Sequence, residues 1–316
     1  MRSADSAQTT KNIDLPSLAQ RFANEGACHG YLETLRWPEG VKCPGRKDGG
    51  GKRHECGSTK LARLQKRRLF ECQECGYQFS TRVGTIFEDT KLPLWKWFLG
   101  TYMMIQSRKG ISANQIKRML GVSYKTAWFL CHRIRKAMDD NRKLSGEVEI
   151  DTSFVGGKSR YPDHDYRRFS EKTIVMAAVE RGGRTRLGVV KNHGKRTLHK
   201  WIREMTEDET QAYYTDEHGS FGGIADHNTR HETVNHRRYE WVNGNVHTNT
   251  VEGVFSLLDR SILGAYHKVS KKHLPAYLHE VEWKYNHREN PYLFRDTILE
   301  LVRADRLEYR KLTGSE

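Results

Sequence analysis

The sequence predicts a multidomain α/β protein, and three observations support this fold class. Four of the six cysteines lie within residues 41–81, next to a short aromatic run, as in a small metal-binding module. Residues 91–138 have apolar residues at helical spacing, and so do residues from 249 onward. Residues 147–236 instead contain alternating or continuous apolar runs, which are typical of strands. We therefore expect a ribbon module, a helical connector and a mixed sheet with flanking helices.

Positive charge is concentrated in the first half of the chain. The 316 residues include 54 Lys and Arg against 39 Asp and Glu, a formal net charge of +15. Residues 1–146 hold 27 basic and 13 acidic residues, a net of +14, whereas residues 147–316 hold 27 and 26, a net of +1. This asymmetry predicts that the first half binds a polyanion. A basic face that serves only solubility is the alternative.

Composition also argues against a membrane protein. No apolar run approaches the roughly 18–20 residues that a spanning helix needs. The N-terminus is polar and lacks the apolar stretch of a signal peptide, so we expect a cytoplasmic protein without a membrane partner. Cysteines in that compartment are more often metal ligands or thiols than disulfides. Cys28 and Cys131 lie in helical apolar stretches and are expected to be buried thiols.

The remaining four cysteines predict a zinc ribbon. Cys72 and Cys75 form a CxxC knuckle, whose spacing lets two thiolates bind one tetrahedral Zn²⁺. Cys43 and Cys56 are expected to complete the site as two halves of a second knuckle that a polar insert separates. Two alternatives remain open at this point: His54 replaces one thiolate, or the ribbon is degenerate and binds no metal.

Residues 111–136 are predicted to form a helix-turn-helix, with Ser123 as the N-cap of the second helix. The apolar positions of its small core are Ile111, Ile116, Leu120, Val122, Ala127 and Leu130. Residues at the exposed start of the second helix are expected to contact DNA, namely Tyr124, Lys125 and Thr126. Phosphate contacts are expected from Arg133, Arg135 and Lys136. A plain helical hairpin with solvated lysines is the alternative.

Five strands are predicted between residues 147 and 236. Their sequences are VEID, TIVMAAVE, RTRLGVVK, QAYYTD and ETVNH. Short connections join the first three strands, which predicts antiparallel hairpins. The amphipathic stretch 197–205 is long enough for a crossover, which makes the fourth strand a parallel partner. This order, followed by further helices, is that of a ribonuclease-H-like sheet.

Three acids are predicted to converge on one point. Asp151 ends the first strand, Asp216 ends the fourth, and Glu252 lies in the opening turn of a helix. Such a cluster can hold two Mg²⁺ or Mn²⁺ ions about 3.5–4 Å apart, as phosphoryl transfer on DNA requires. The alternatives are ordinary surface acids and, for Glu252, an acid that interacts with the helix dipole.

Neighbouring residues yield weaker predictions. Glu217, His218, His247 and Asn249 are expected to support the metal ligands or to contact the scissile phosphate, with solvated loop residues as the alternative. Residues 156–159, Gly-Gly-Lys-Ser, superficially resemble a phosphate-binding loop. A Walker A motif needs glycine where Thr152 stands, so we expect no nucleotide cofactor.

These motifs divide the chain into five predicted regions. They are a flexible tail over residues 1–16, a zinc-ribbon DNA-binding region over 17–90, a helix-turn-helix over 91–146, a ribonuclease-H-like catalytic domain over 147–290 and a C-terminal helical tail over 291–316.

Several stretches between Phe22 and Arg288 resemble bacterial insertion-sequence DDE transposases that join a zinc ribbon, a helix-turn-helix and a ribonuclease-H-like domain. They include RFANEGACHGYLETLRWPEGVKCP, FECQECGYQFS, KGISANQIKRMLGVSYKTAWFLCHRIRKAM, GEVEIDTSFVGGK, YTDEH and VNHRRYEWVNGNVHTNTVEGVFSLLDRS. Two features depart from the family pattern. The first cysteine knuckle is split, and Thr152 and Ser153 replace a stretch that more usually bears an acid.

The resemblance implies a function for each region. It implies metal-dependent cleavage at transposon ends and strand transfer of the 3′-OH ends into target DNA, with two Mg²⁺ or Mn²⁺ ions per active site. Asp151, Asp216 and Glu252 match the catalytic triad, and the four ribbon cysteines match the ligands of a structural Zn²⁺. The expected partners are double-stranded DNA, as transposon ends and target, and further copies of the chain in a dimer or higher oligomer. The expected location is the bacterial nucleoid.

Two rival functions fit the same residues. One is a ribonuclease-H-like nuclease or resolvase that performs no strand transfer. The other is a zinc-ribbon DNA-binding regulator with a vestigial catalytic domain, which the loss of a triad acid would favour; all three acids are present.

Overall fold

A computed structural model of the chain describes residues 10–48, 54–156, 172–227, 229–234 and 246–314. The chain forms two compact units. The ribbon unit comprises residues 1–107, 113–138 and 289–316, and the sheet unit comprises residues 108–112 and 139–288. Among the described residues, no helix is both long and apolar enough to cross a membrane.

The elements are numbered in chain order. The helices are α1 (Leu15–Arg21), α2 (Glu25–Arg36), α3 (Leu94–Gln106), α4 (Ala113–Leu120), α5 (Tyr124–Lys136), α6 (Lys195–Met205), α7 (Asn249–Ser261), α8 (Leu274–Asn286), α9 (Leu293–Arg303) and α10 (Tyr309–Thr313). The strands are β1 (Leu61–Leu64), β2 (Leu69–Cys72), β3 (Gln78–Phe79), β4 (Glu147–Val155), β5 (Thr173–Glu180), β6 (Thr185–Val190), β7 (Ala212–Asp216) and β8 (Arg230–Val234).

The ribbon itself is a three-stranded antiparallel sheet in the order β1-β2-β3. Its small core contains Phe70 and Phe79, whose rings stack with their centroids 5.5 Å apart. Trp37, at the end of α2, packs edge-on against both rings. So small a sheet buries little apolar area, and it therefore depends on a further cross-link for stability.

An aromatic cluster joins the helices of the ribbon unit. The ring of Phe22 lies 4.8 Å from that of Phe98 in α3 and 5.9 Å from that of Phe294 in α9. The C-terminal helix α9 is thus part of this core, although the sequence suggested a separate tail over 291–316. At the other end of the chain, Thr10 and Ile13 of the predicted N-terminal tail are buried. The five predicted regions stay a prediction.

The helix-turn-helix has the predicted form. The Oγ atom of Ser123 accepts a hydrogen bond from the backbone N–H of Thr126 at 3.1 Å, which caps α5. Five of the six predicted core positions are buried, and Val122 is half-buried.

The sheet unit contains the predicted five-stranded mixed sheet, in the order β6-β5-β4-β7-β8. β4, β5 and β6 pair antiparallel, while β7 is parallel to β4 and β8 is parallel to β7. Connection length accounts for this difference, because a short turn containing Gly182 joins β5 to β6 whereas α6 separates β6 from β7. The ribonuclease-H-like strand order is therefore confirmed. Residues 235 and 236 of the predicted fifth strand lie outside the described residues.

Both faces of this sheet are covered by helices. On one face, Val148 and Ile150 of β4 pack with Leu198 and Ile202 of α6. On the other face, Val175, Ala177 and Val179 of β5 pack with residues of α7 and α8, including Val251, Val254 and Leu278. Alternate residues of β4 therefore point to opposite helical layers, and the odd-numbered ones face α7.

Candidate active site and zinc site

Asp151 and Asp216 lie at the same level of two neighbouring parallel strands. The pairing of β4 with β7 runs from Glu147 opposite Ala212 to Glu149 opposite Tyr214, a constant offset of 65 residues. Two residues further along, the same offset places Asp151 beside Asp216. Parallel strands lie about 4.8 Å apart and residues at one level point to the same face. Both carboxylates therefore face the side of the sheet that α7 covers.

The position of Asp151 differs from the prediction in one respect. The sequence suggested that the first strand ends at Asp151, but β4 continues to Val155 because residues 152–155 pair with β5. Pairing with β7, by contrast, stops at Glu149. Asp151 is thus paired with β5 on one side and lies beyond the last β7 pair on the other.

Glu252 is delivered by α7. It lies in the first turn of this helix, whose residues Val251, Val254 and Phe255 pack on the sheet. The hydroxyl of Thr248 donates a hydrogen bond to Oε1 of Glu252 at 3.0 Å. Glu252 itself is exposed, so its carboxylate is available to a ligand.

The pKa of Asp151 is raised to about 7. Burial is the main cause, the backbone hydrogen bond from Thr152 opposes it, and the charges of Asp216 and Glu252 make smaller contributions in the raising direction. Within the described part of the chain, no cationic side chain forms an ion pair with any of the three. Hard oxygen ligands with uncompensated charge suit Mg²⁺ or Mn²⁺.

A fourth acid, Glu149, was not singled out by the sequence analysis. It lies two residues before Asp151 on the same face of β4, and it is fully buried. Its carboxylate accepts hydrogen bonds from the backbone N–H groups of Thr250 at 2.8 Å and Val251 at 3.2 Å, and from the Thr250 hydroxyl at 3.0 Å. These donors belong to the first turn of α7. Glu149 therefore attaches the N-terminus of the helix that carries Glu252 to the strand that carries Asp151.

Arg181 compensates the buried charge. Its Nε donates to Oε1 of Glu149 at 3.0 Å, and its Nη2 donates to the carbonyl oxygen of His247 at 3.2 Å. The Nδ1 atom of His247 lies 3.2 Å from the same Glu149 oxygen. A signal for Glu149 was present in the sequence, because a charged residue stands between Val148 and Ile150 in an otherwise apolar strand.

The other predicted neighbours have varied surroundings. The backbone N–H of His218 donates to Oδ1 of Asp216 at 3.1 Å, which orients that carboxylate. Glu217 is half-buried beside it, and Asn249 is exposed at the start of α7. His247 supports Glu149 rather than a triad residue. Residues 157–159 of the Gly-Gly-Lys-Ser stretch, which superficially resembles a phosphate-binding loop, lie outside the described residues.

The four ribbon cysteines form a tight cluster. Their sulfur atoms all lie within 4.8 Å of one another. The Sγ atoms of Cys43 and Cys75 are 3.6 Å apart, and those of Cys56 and Cys72 are 3.8 Å apart. Zn–S bonds of about 2.3 Å in a tetrahedron place sulfurs about 3.8 Å apart, so the cluster fits a structural Zn²⁺. Among the described residues, the triad oxygens do not form such a set.

Backbone hydrogen bonds rejoin the split knuckle. The N–H of Cys43 donates to Ser58 O at 2.9 Å, and the N–H of Gly57 donates to Cys43 O at 3.0 Å. Gly45 permits the close return of the chain, because a Cβ atom there would lie 1.5 Å from His54 O. His54 is not needed as a ligand, and its Nε2 lies 3.2 Å from Oδ2 of Asp48. Cys28 and Cys131 are buried outside the cluster, as predicted.

Two of the six predicted DNA contacts are buried within the ribbon unit. Arg133 and Arg135 are only 4% and 1% exposed. The guanidinium of Arg133 lies over the Trp97 ring at 4.6 Å and donates to Glu88 O at 3.2 Å, and burial lowers its pKa to about 10. Neither arginine can reach a phosphate in this conformation, so we do not retain them as DNA contacts.

The remaining four residues stay candidates. Tyr124 is 50% exposed and Thr126 is half-buried at the start of α5. Lys125 is exposed with its Nζ 4.4 Å from the Tyr309 ring centroid, and the Nζ of Lys136 donates to Asp305 O at 3.1 Å. Both lysines are thus in contact with the C-terminal segment, although their side chains are solvent-accessible.

Comparisons with known proteins agree with this architecture. Residues 143–286 match the ISXO2-like transposase domain, and residues 23–78 match the transposase zinc-ribbon domain. An uncharacterized protein in transposable element ISH50 of Halobacterium salinarum is 30% identical in an alignment of 275 positions, which covers 81% of this chain and 89% of that protein. The chain belongs to the ISXO2-like transposase family. The zinc-ribbon match also supports a structural Zn²⁺ at the four cysteines of this family member.

We expect one zinc ion per chain, bound by the ribbon. Cys75→Ser removes an exposed ligand, and a chromogenic chelator will then extract the metal far more readily than from the unsubstituted protein, because structural zinc sites depend on all four ligands. Cys28→Ala, at a buried thiol outside the cluster, serves as the control and will retain its zinc. Equal zinc retention in Cys75→Ser would contradict the assignment.

Glu149→Gln is expected to destabilise the sheet unit. The amide oxygen can still accept the two backbone N–H bonds, but the amide NH₂ then replaces Oε1, loses the bond from Arg181 and removes the negative charge that pairs with it, which costs on the order of 3 kcal/mol. Urea unfolding measures this cost, and hydrogen exchange of the first turn of α7 locates it. Glu204→Gln, at an exposed acid of the same unit, will change stability by less than about 1 kcal/mol. A Glu149→Gln variant as stable as this control would refute the docking role.

The raised pKa of Asp151 predicts a pH-dependent gain of stability for Asp151→Asn in buffer without magnesium or manganese. The folded carboxyl retains its proton to about pH 7, whereas the unfolded one ionises near 3.8, so ionisation opposes folding as the pH rises between these values. The advantage of asparagine will therefore grow by roughly 2–3 kcal/mol from pH 5 to pH 8. Asp208→Asn, at an exposed acid, will show no such trend. A pH-independent advantage would contradict the pKa.

Proposed function

We propose that the protein is a DNA transposase that cleaves phosphodiester bonds at the ends of its element and transfers the 3′-OH ends into target DNA. The observation that carries this proposal is the register that puts Asp151 and Asp216 at one level of neighbouring parallel strands, on the face covered by α7, whose first turn carries Glu252. The contributions of Asp216 and Glu252 to the raised pKa of Asp151, which follow that of burial, support their proximity. The same three residues match the catalytic positions in the resemblance on which the sequence analysis drew.

Each side chain has a defined task in this proposal. Asp151, Asp216 and Glu252 would hold two Mg²⁺ or Mn²⁺ ions, which would supply activation of the attacking water or 3′-hydroxyl and charge stabilisation of the leaving oxygen. Asp151 must release its proton before it can serve as a ligand. The N–H of His218 and the hydroxyl of Thr248 keep the Asp216 and Glu252 carboxylates oriented. Since all three acids act as metal ligands, no covalent protein–DNA intermediate is needed.

DNA recognition is assigned to the ribbon unit. Its zinc-ribbon match and the net charge of +14 over residues 1–146 support binding to the terminal inverted repeats. Tyr124, Lys125 and Thr126 at the start of α5 would contact bases or backbone, and Lys136 a phosphate. Lys125 and Lys136 would have to leave their contacts with the C-terminal segment to do so.

Strand transfer also implies an assembly. Two element ends must be joined to one target, and each end needs an active site, so we propose that at least two copies of the chain act together on DNA. In a bacterial cell such an assembly would work in the cytoplasm at the nucleoid.

The decisive variant is Asp216→Asn. It removes one ligand charge, and we expect cleavage of a duplex carrying an element end to fall more than 100-fold, since even groups that only support a metal ligand are worth about 10–100-fold. Binding to the same duplex, measured by electrophoretic mobility, will be retained. Asp208→Asn is the matched control, with the same chemical change at an exposed position of the sheet unit.

Two outcomes would overturn the proposal. Full cleavage activity in Asp216→Asn would exclude the triad. Cleavage by the unsubstituted protein without joining of pre-cut 3′-OH ends to a target plasmid would instead indicate a nuclease or resolvase, and DNA binding without either reaction would indicate a regulator.

A further inference from the structure

The outer face of α6 carries a concentration of positive charge. A cavity of about 710 Å³ is lined by five cationic side chains, namely Lys143, Lys195, Arg196, Lys200 and Arg203. One acid, Glu204, lies among them and is 3.7 Å from the Nζ of Lys200. This charge is not part of a general excess, because residues 139–288 hold 24 basic and 22 acidic residues, a net charge of only +2.

The orientation of this face is set by packing. Leu198, Trp201 and Ile202 of α6 are buried against the sheet, which turns the opposite side of the helix to solvent. On that side Arg196, Lys200 and Arg203 are exposed. Spaced three and four residues apart, they form one stripe along the helix.

The stripe begins at the edge of the sheet that holds the triad. β6 and β7 both run parallel to β4, so the helix between them runs antiparallel to β7, and its first residues lie at the edge where β7 ends with Asp216. Consistent with this, the Nζ of Lys195 lies beside Gly223, in the loop that follows Asp216. The rings of His193 and His218, whose centroids are 5.6 Å apart, occupy the same edge.

The length of the stripe suits a polyanion rather than a single phosphate. From Lys195 to Arg203 the helix rises about 12 Å, at about 1.5 Å per residue. A free anion needs a closed set of donors, whereas these side chains are spread along an open surface. Cations at such spacing contact successive phosphates of a duplex without reading its sequence.

We propose that the outer face of α6 binds the sugar–phosphate backbone of double-stranded DNA on the face of the sheet opposite the triad, with Lys195 at the edge where β7 ends with Asp216. The inference rests on the proposed function, because it adds a second DNA-binding surface, in the sheet unit, to that of the ribbon unit. The competing explanation is a solvated basic face that contacts no DNA.

The test compares two variants with the same change of charge. The first variant neutralises the stripe by three substitutions, Arg196→Gln, Lys200→Gln and Arg203→Gln. Glutamine has a helical propensity close to that of lysine and arginine, so the helix itself is retained. The control variant neutralises three exposed lysines elsewhere in the sheet unit by Lys268→Gln, Lys271→Gln and Lys272→Gln. Affinity for a duplex carrying one element end is measured for the full chain over a range of salt concentrations.

We expect the stripe variant to bind less tightly and with a smaller salt dependence. Each lost phosphate contact reduces the slope of log K against log salt by about 0.9, so loss of all three reduces it by up to about 2.7. The control will keep the slope of the unsubstituted protein. Equal slopes in both variants, whether unchanged or equally reduced, would overturn the inference.

A second measurement does not depend on how the variants fold. In the unsubstituted protein, DNA binding will protect Lys195 and Lys200 from acetylation, whereas Lys271 and Lys272 will remain reactive. Equal reactivity of Lys195 and Lys200 with and without DNA would contradict the proposal. If the unsubstituted protein does not cleave element ends, the proposed transposase function is wrong. That result differs from a failure of the α6 proposal, in which cleavage occurs but Lys195 and Lys200 are not protected by DNA.

Discussion

The attachment of α7 to β4 through Glu149 is the interaction on which the candidate active site depends. A fully buried carboxylate is costly unless cations and hydrogen-bond donors compensate it. Here the first turn of α7 and Arg181 supply them, and the helix dipole adds to the compensation. Because Asp151 lies two residues beyond Glu149 and Glu252 two residues beyond Thr250, the same contact sets the distance between two acids of the triad.

Glu149 and Asp151 show how one strand face can carry a structural and a reactive charge. Both project toward α7, yet Glu149 is surrounded by donors while Asp151 faces two further carboxylates and has a pKa raised to about 7. Pairing of β7 with β4 ends at Glu149, so Asp151 lies beyond the last paired residue of that strand pair. A carboxylate whose ionisation is opposed by burial and by neighbouring acids suits divalent cations, which compensate its charge on binding.

Local patterns in the sequence were sufficient for the strand order, the Ser123 cap and the four zinc ligands, because each depends on neighbouring residues or on fixed spacing. Features that depend on distant contacts were not predictable in this way. Arg133 is buried because Trp97 and the Glu88 carbonyl lie over it, and α9 joins the ribbon unit because Phe294 meets Phe22 and Phe98. β4 extends past Asp151 because β5 pairs with it there, although residues 152–155 lack a strongly apolar pattern.

The same contacts change what the charge distribution means. Arg133 and Arg135 contribute two of the fourteen net charges over residues 1–146 but are buried, so that number overstates the charge the ribbon unit presents to DNA. The sheet half is nearly neutral by count, yet its basic side chains are gathered on α6 while four of its acids are gathered at or near the triad. Only the fold separates these groups. A metal-loaded triad on one face of the sheet and the basic surface of α6 on the other would each present positive charge to DNA, which a nearly neutral total conceals.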